Sequence, residues 1–144
     1  MADPRTARVV QHFEALTPHT LPALLALYAP EARFKDPFND VQGLPAIEAI
    51  FQHMFDTLDA PRFTVRLAVT EGDDAFLTWD FTFQRRGSSQ PWRIHGSTHL
   101  HFAPDGRVAL HRDYWDAAEE LYAKLPLLGA LMRWLQNRLR VAAR

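Results

Sequence analysis

The sequence predicts an α+β fold, and three observations carry that reading. Apolar residues recur at helical spacing as far as Leu58, alternate with polar ones from Pro61 to about Trp115, and return to helical spacing from Asp116. Such segregation of helices from strands means helices packed on one face of an antiparallel sheet, not a βαβ repeat.

The elements follow in order. Val9, Val10, Phe13 and Leu16 define a first helix, broken at Thr17-Pro18. Leu21, Leu24, Leu25 and Tyr28 define a second, stopped at Ala29-Pro30 because the residue before proline disfavours helical dihedrals. Residues 32–36 read as a short strand ended by Pro37. Residues 43–58 read as a third helix with Ile47, Ile50, Phe51, Met54, Phe55 and Leu58 on one broad face. The next strand alternates Phe63, Val65, Leu67 and Val69 with polar or small residues. After Gly72, Ala75, Leu77, Trp79, Phe81 and Phe83 share one side of a second strand. Ile94, Gly96, Thr98, Leu100 and Phe102 then oppose Arg93, His95, Ser97, His99 and His101. Asp105-Gly106 is a hairpin turn into a last strand over about 107–115. Such alternation means a sheet with one apolar and one polar face, although in the last strand Val108, Leu110 and Tyr114 make the opposite side look equally apolar.

The C-terminal extension, 117–144, carries a stripe of Leu121, Leu125, Leu128, Leu131, Met132, Leu135 and Leu139, interrupted near Pro126. From Leu121 onward there are five basic residues (Lys124, Arg133, Arg138, Arg140, Arg144) and no acidic ones. The leading expectation is a packed helix or lid over the domain. Contact with an anionic membrane surface is the alternative.

Composition narrows the function. A length of 144 residues with 47% apolar content suits one domain, 1–144, with a real core. The net charge of −1 offers no global basic field, so nucleic acid is not an expected partner. With no cysteine there is no disulfide, thiolate metal site or Cys nucleophile. No 18-residue apolar run spans a membrane, and the first ten residues carry Asp3, Arg5 and Arg8, unlike a signal peptide. The expected location is cytoplasmic.

The stretch Tyr28-Ala29-Pro30-Glu31-Ala32-Arg33-Phe34-Lys35-Asp36-Pro37, followed by Gly43 and a helix, resembles the nuclear transport factor 2-like (SnoaL-like) superfamily. Within it, the pattern resembles the ketosteroid isomerase branch, over about residues 8–115. The resemblance implies a cone of curved sheet and helices around a pocket for a hydrophobic small molecule. It also implies chemistry without a metal or organic cofactor, and a homodimer formed through the outer sheet face.

Carried over position by position, Asp36 matches the catalytic base. Phe13 stands where steroid isomerases use an oxyanion-hole tyrosine, Thr98 where they use a protonated aspartic acid, and Phe51 where they use a supporting tyrosine. Each lost oxyanion donor costs a factor of about 10²–10³, so efficient steroid isomerisation is not expected. The same correspondence sends His111, Asp113 and Trp115 to the concave face, beside walls of Phe13, Phe51, Trp79, Phe81 and Phe83. Parity alone does not choose that face.

A histidine and two carboxylates in an apolar cleft can take up and return protons. The expectation is therefore a proton-transfer enzyme acting on a hydrophobic carbonyl compound: an isomerase, cyclase or dehydratase. Asp36 would be the base, with Asp113 and His111 moving or orienting protons. The rival is a non-catalytic ligand-binding or protein-interaction module. Epoxide hydrolysis, which the resemblance implies for a sister branch that uses two carboxylates bridged by an arginine, ranks lower because Arg112 has the wrong parity. His95, His99 and His101 share a strand face, but it opposes the apolar one and no nearby carboxylate completes a ligand set. No metal is expected.

Overall fold

The computed structural model describes residues 2–120 and 126–140. Helix α1 (Pro4–Glu14) starts where Asp3 caps it, its side chain accepting from the Arg5 N–H at 2.9 Å, with proline next to the cap. Thr6, Val9 and Phe13 form its buried face. Helix α2 is a single turn (Leu21–Leu25). Tyr28 does not extend it, contrary to the periodicity, but opens strand β1 (Tyr28–Lys35), opposite Val108. Pro30 forbids the helical continuation, and the buried phenol finds a partner only from the strand.

Strand β2 (Asp40–Gln42) is too short to show alternation, and it was not foreseen. It folds back antiparallel on β1, with Arg33 bridging Asp40 at 2.7 Å. Gly43, at φ 96°, makes the bend into α3 (Leu44–Thr57). Strand β3 (Leu58–Glu71) follows without a loop, slightly earlier than the sequence suggests; its register shifts between Asp59 and Arg62, around Ala60 at φ 49°.

Strands β3, β4 (Asp74–Arg85), β5 (Pro91–Phe102) and β6 (Val108–Tyr114) form the expected antiparallel meander. The whole sheet is larger, in the order β2-β1-β6-β5-β4-β3, and β1 runs parallel to β6. It is a curved, open sheet, so β3 and β2 are edges. Leu77, Trp79, Phe83, Ile94 and Leu100 meet Val9, Phe13, Leu21, Leu24, Ile47 and Phe51 between sheet and helices. Full burial of each large apolar side chain there is worth about 1.5–3 kcal/mol.

A short α4 (Ala117–Glu120) and α5 (Pro126–Leu139) end the described chain. The expected apolar stripe does not pack as foreseen. Leu128 is half-buried, but Leu131, Leu135 and Leu139 are 49%, 39% and 82% exposed, and Trp134 55%. Leu121, Lys124, Leu125 and Arg144 lie outside the described residues.

Candidate functional site

A cavity of about 570 Å³ lies between the concave sheet face and α1 and α3. That volume falls in the range of small-molecule sites. Phe13, Phe51, Trp79, Phe81, Phe83, Thr98, His111, Asp113, Trp115 and Asp36 all line it. Parity left the face open, and the structure resolves it: His111 and Asp113 point inward from β6. Arg112 points out, its guanidinium 4.6 Å from the Tyr114 ring, so it bridges no carboxylate pair in the cavity.

Phe34, Phe38, Phe63 and Trp92, none of them expected at the site, also line the cavity. Phe34 was recoverable, since it shares the parity of Asp36 on the strand expected over 32–36. Trp92 likewise shares the parity of Ile94.

The polar groups form one chain of hydrogen bonds. Trp79 Nε1 donates to Thr98 Oγ1 at 2.8 Å, and that hydroxyl donates to Asp113 Oδ1 at 2.6 Å. His111 Nε2 lies 2.7 Å from the same Oδ1, and its Nδ1 lies 2.8 Å from the Tyr28 hydroxyl. Burial, and then the negative charge of Asp113, push the Tyr28 phenol well above its ordinary pKa, so it stays protonated. Its O–H has His111 Nδ1 as acceptor, which assigns Nε2–H as the donor to Asp113. The rings of Phe34 and Phe13 pack at 4.5 and 5.5 Å from the imidazole. His111 is therefore enclosed, both nitrogens engaged, and Asp113 Oδ2 is the carboxylate oxygen left without a hydrogen bond among the described residues.

Asp36 reaches the cavity from the end of β1. The last paired positions on β1 and β6 are Lys35 and Arg112, so Asp36 and Asp113 each stand one residue beyond the ladder. Asp36 also has a local task. Its Oδ1 accepts from the backbone N–H of Phe38 at 2.8 Å, from that of Asn39 at 2.7 Å, and from Asn39 Nδ2 at 3.1 Å. This is an Asx-type turn, set by the Asp-Pro-Phe-Asn sequence.

On the outer sheet face the histidines do have carboxylates, contrary to the sequence reading. Asp74 Oδ1 lies 2.8 Å from His99 Nε2 and 2.9 Å from His101 Nδ1; Asp80 Oδ1 lies 2.9 Å from His95 Nδ1. The pairs cross from β5 to β4, so sequence proximity could not reveal them. These hydrogen bonds, with Arg66 also donating to Asp80, hold both carboxyls below their ordinary pKa. Among the described residues no group of three or more His, Asp or Glu side chains is arranged to hold a metal ion. None of their helices is long and apolar enough to cross a membrane.

Comparison with known proteins places this architecture. A hypothetical protein with a ketosteroid isomerase-like fold from Catenulispora acidiphila superposes with a TM-score of 0.73 at 15% identity, over 88% of this chain and 96% of that one. A candidate SnoaL-like polyketide cyclase from Shewanella putrefaciens gives 0.70 at 18% identity, over 84% and 98%. AclR, a candidate hydroxylase from Streptomyces galilaeus, gives 0.68 at 18%, over 88% and 96%. Identities this low establish a shared fold and nothing finer. No curated protein matches the chain. The family model of the SnoaL-like domain, however, matches residues 9–111, most of the chain. With the α+β architecture and an apolar cavity of small-molecule size, that match settles the family: the chain belongs to the SnoaL-like domain family of the nuclear transport factor 2-like superfamily.

Proposed function

We propose that the protein catalyses proton transfer at carbon on a hydrophobic carbonyl compound held in the cavity, using the cavity's own side chains. The observation that carries this reading is the arrangement at Asp113. One oxygen is fixed by Thr98 and His111, and the other faces an apolar cavity without a hydrogen bond from any of the described residues. A carboxylate held in one rotamer beside a bound ligand is a general base whose orientation is already set.

Asp113 Oδ2 would take a proton from the carbon next to the carbonyl and return it to a second position. The C–H electron pair moves into the enolate, and its negative charge gathers on the carbonyl oxygen. Thr98 and Trp79 have already committed their donors to the chain behind Asp113. The indole N–H of Trp115, one residue beyond β6 in the cavity lining, makes no hydrogen bond among the described residues and is the available donor for that oxygen. Asp36, tied to its turn, serves as the second carboxylate of the site and shapes its rim. A cyclase, isomerase or dehydratase would each use this one step.

The test uses 2-tetralone, an apolar bicyclic ketone with activated α-hydrogens, in deuterium oxide. The protein should speed deuterium incorporation by a factor in the general-base range of about 10²–10⁴, and Asp113→Asn should remove most of that. Binding of the ketone without any acceleration would favour the non-catalytic reading. Full activity in Asp113→Asn with loss in Asp36→Asn would return the base to Asp36.

A further inference from the structure

The charges lining the cavity are segregated. Asp36 and Asp113 mark one region; the cationic group lining the cavity elsewhere is Arg85, accompanied by His53. The strand register fixes their separation. Leu77 pairs with Thr98 and Thr98 with Asp113, whereas Arg85 pairs with Leu58 at the junction of α3 and β3. Arg85 is thus eight residues further along β4 than Leu77, at most about 27 Å of extended strand.

Phe83 and Trp92 are partners across β4 and β5, with rings stacked at 6.1 Å, and the Arg85 guanidinium sits 5.6 Å from the Trp92 ring. His53 precedes Thr57 by one helical turn, and Thr57 Oγ1 donates to the His53 carbonyl at 2.7 Å. Asp59, the nearby acid, lies 3.7 Å from Arg86. Among the described residues Arg85 forms no ion pair with a carboxylate.

We propose that Arg85 anchors an acid group on the substrate, so that the cavity takes an elongated, flat carbonyl compound carrying a carboxylate at the end remote from the carbonyl. The placement of the carbonyl beside Asp113 rests on the proton-transfer reading; the anion site at Arg85 does not. The two carboxylates repel an anionic end from their region, and the planar guanidinium can donate two parallel N–H bonds to a carboxylate. Between them the aromatic walls of Trp79, Phe81 and Phe83 suit conjugated rings. Charge thereby sets which way round the substrate lies, which an apolar cavity alone would leave undetermined.

The test compares two dyes on one apolar scaffold: 1-anilinonaphthalene-8-sulfonate, whose sulfonate stands in for the carboxylate, and neutral N-phenyl-1-naphthylamine. Fluorescence titration should show Arg85→Gln weakening the sulfonate dye about fivefold, the effect of an ion pair worth about 1 kcal/mol at a wet rim, with the neutral dye unchanged. Arg85→Lys should restore part of the loss, and high salt should reproduce it in the unmodified protein. Equal effects on both dyes, no effect on either, or failure of the sulfonate dye to bind would overturn the proposal. Deuterium exchange of 2-tetralone, a neutral ketone, separates the two readings. Exchange with no dye discrimination removes the anion site alone, and discrimination without exchange removes the proton-transfer reading alone.

Discussion

The six-membered ring of Trp79 occupies the space that a side chain at Gly96 would need. A Cβ built there would stand 2.5 Å from Trp79 Cη2, 2.7 Å from Cζ2 and 3.1 Å from the Cβ of Trp115. Trp79 and Gly96 are direct partners across β4 and β5. The glycine therefore lets the indole lie down along the sheet, where its N–H reaches Thr98 and supports Asp113.

Gly96→Ala should accordingly do more than strain the strand. Trp79 is almost fully buried and cannot swing aside cheaply, so the variant should lose about 1–3 kcal/mol, the usual cost of overpacking. Urea denaturation would measure it. The same variant should bind the neutral naphthylamine dye more weakly, because the displaced ring enters the cavity. Unchanged stability together with unchanged dye affinity would mean that Trp79 has another place to go.

Tyr28→Phe isolates the far end of the hydrogen-bond chain. The ring keeps its volume, while His111 Nδ1 loses its buried partner. Leaving one buried polar atom unsatisfied costs about 1–3 kcal/mol, and urea denaturation should show a loss of that size. Because His111 then keeps only one of the two hydrogen bonds that orient its ring, exchange of 2-tetralone should fall as well, by less than in Asp113→Asn. A stable variant with full exchange would show that the chain ends at His111.

Much of this site was legible because strands obey parity. Trp79, Phe81 and Phe83 had to share a neighbourhood, and so did His111, Asp113 and Trp115. Parity could not say which face was concave; that depends on where α1 and α3 pack. Tyr28 fits both the helical spacing of Leu21, Leu24 and Leu25 and the strand that actually holds it, and the bond to His111, 83 residues away, is long-range. The carboxylate partners of His95 and His99 were hidden for the same reason, since they lie 15 and 25 residues off, across the ladder. The turn made by Asp36 was legible, because an Asp before Pro with Asn three residues on is turn chemistry.

Asp80 makes a prediction about acid stability. Its side chain is only 5% exposed on the outer face, where His95, Arg66 and Arg93 surround it at 2.9, 2.8 and 3.4 Å. The hydrogen bonds from His95 and Arg66 hold the carboxyl below its usual value of 3.8, so the folded state binds this proton less readily than the unfolded state. Its stabilising effect is then full above pH 3.8 and is lost as the pH falls through the lower native value. Asp80→Asn should melt several degrees lower at neutral pH, and its difference from the unmodified protein should shrink below about pH 4. Melting curves over pH 2.5–7 would check it. A difference that stays constant with pH would assign the loss to packing instead of charge.

Removing α5 tests what the C-terminal extension contributes. Its apolar side chains Leu131, Trp134, Leu135 and Leu139 recur at the spacing of one helix face, yet all stand exposed. Arg138 lies with its guanidinium 5.3 Å from the Trp134 ring, so part of what the face does is to pack against its own helix. A fully buried leucine adds about 1.5–3 kcal/mol, and none of these is buried. Leu128 is half-buried and supplies only a fraction of that. A chain ending at Lys124 should therefore lose helix content by circular dichroism while its melting temperature falls by no more than about 4 °C, the shift expected for roughly 1 kcal/mol in a domain of this size. The loss of an exposed apolar face should also make the shortened chain less prone to associate. A fall beyond about 10 °C would mean that the extension closes over the domain in solution, as its leucine stripe first suggested.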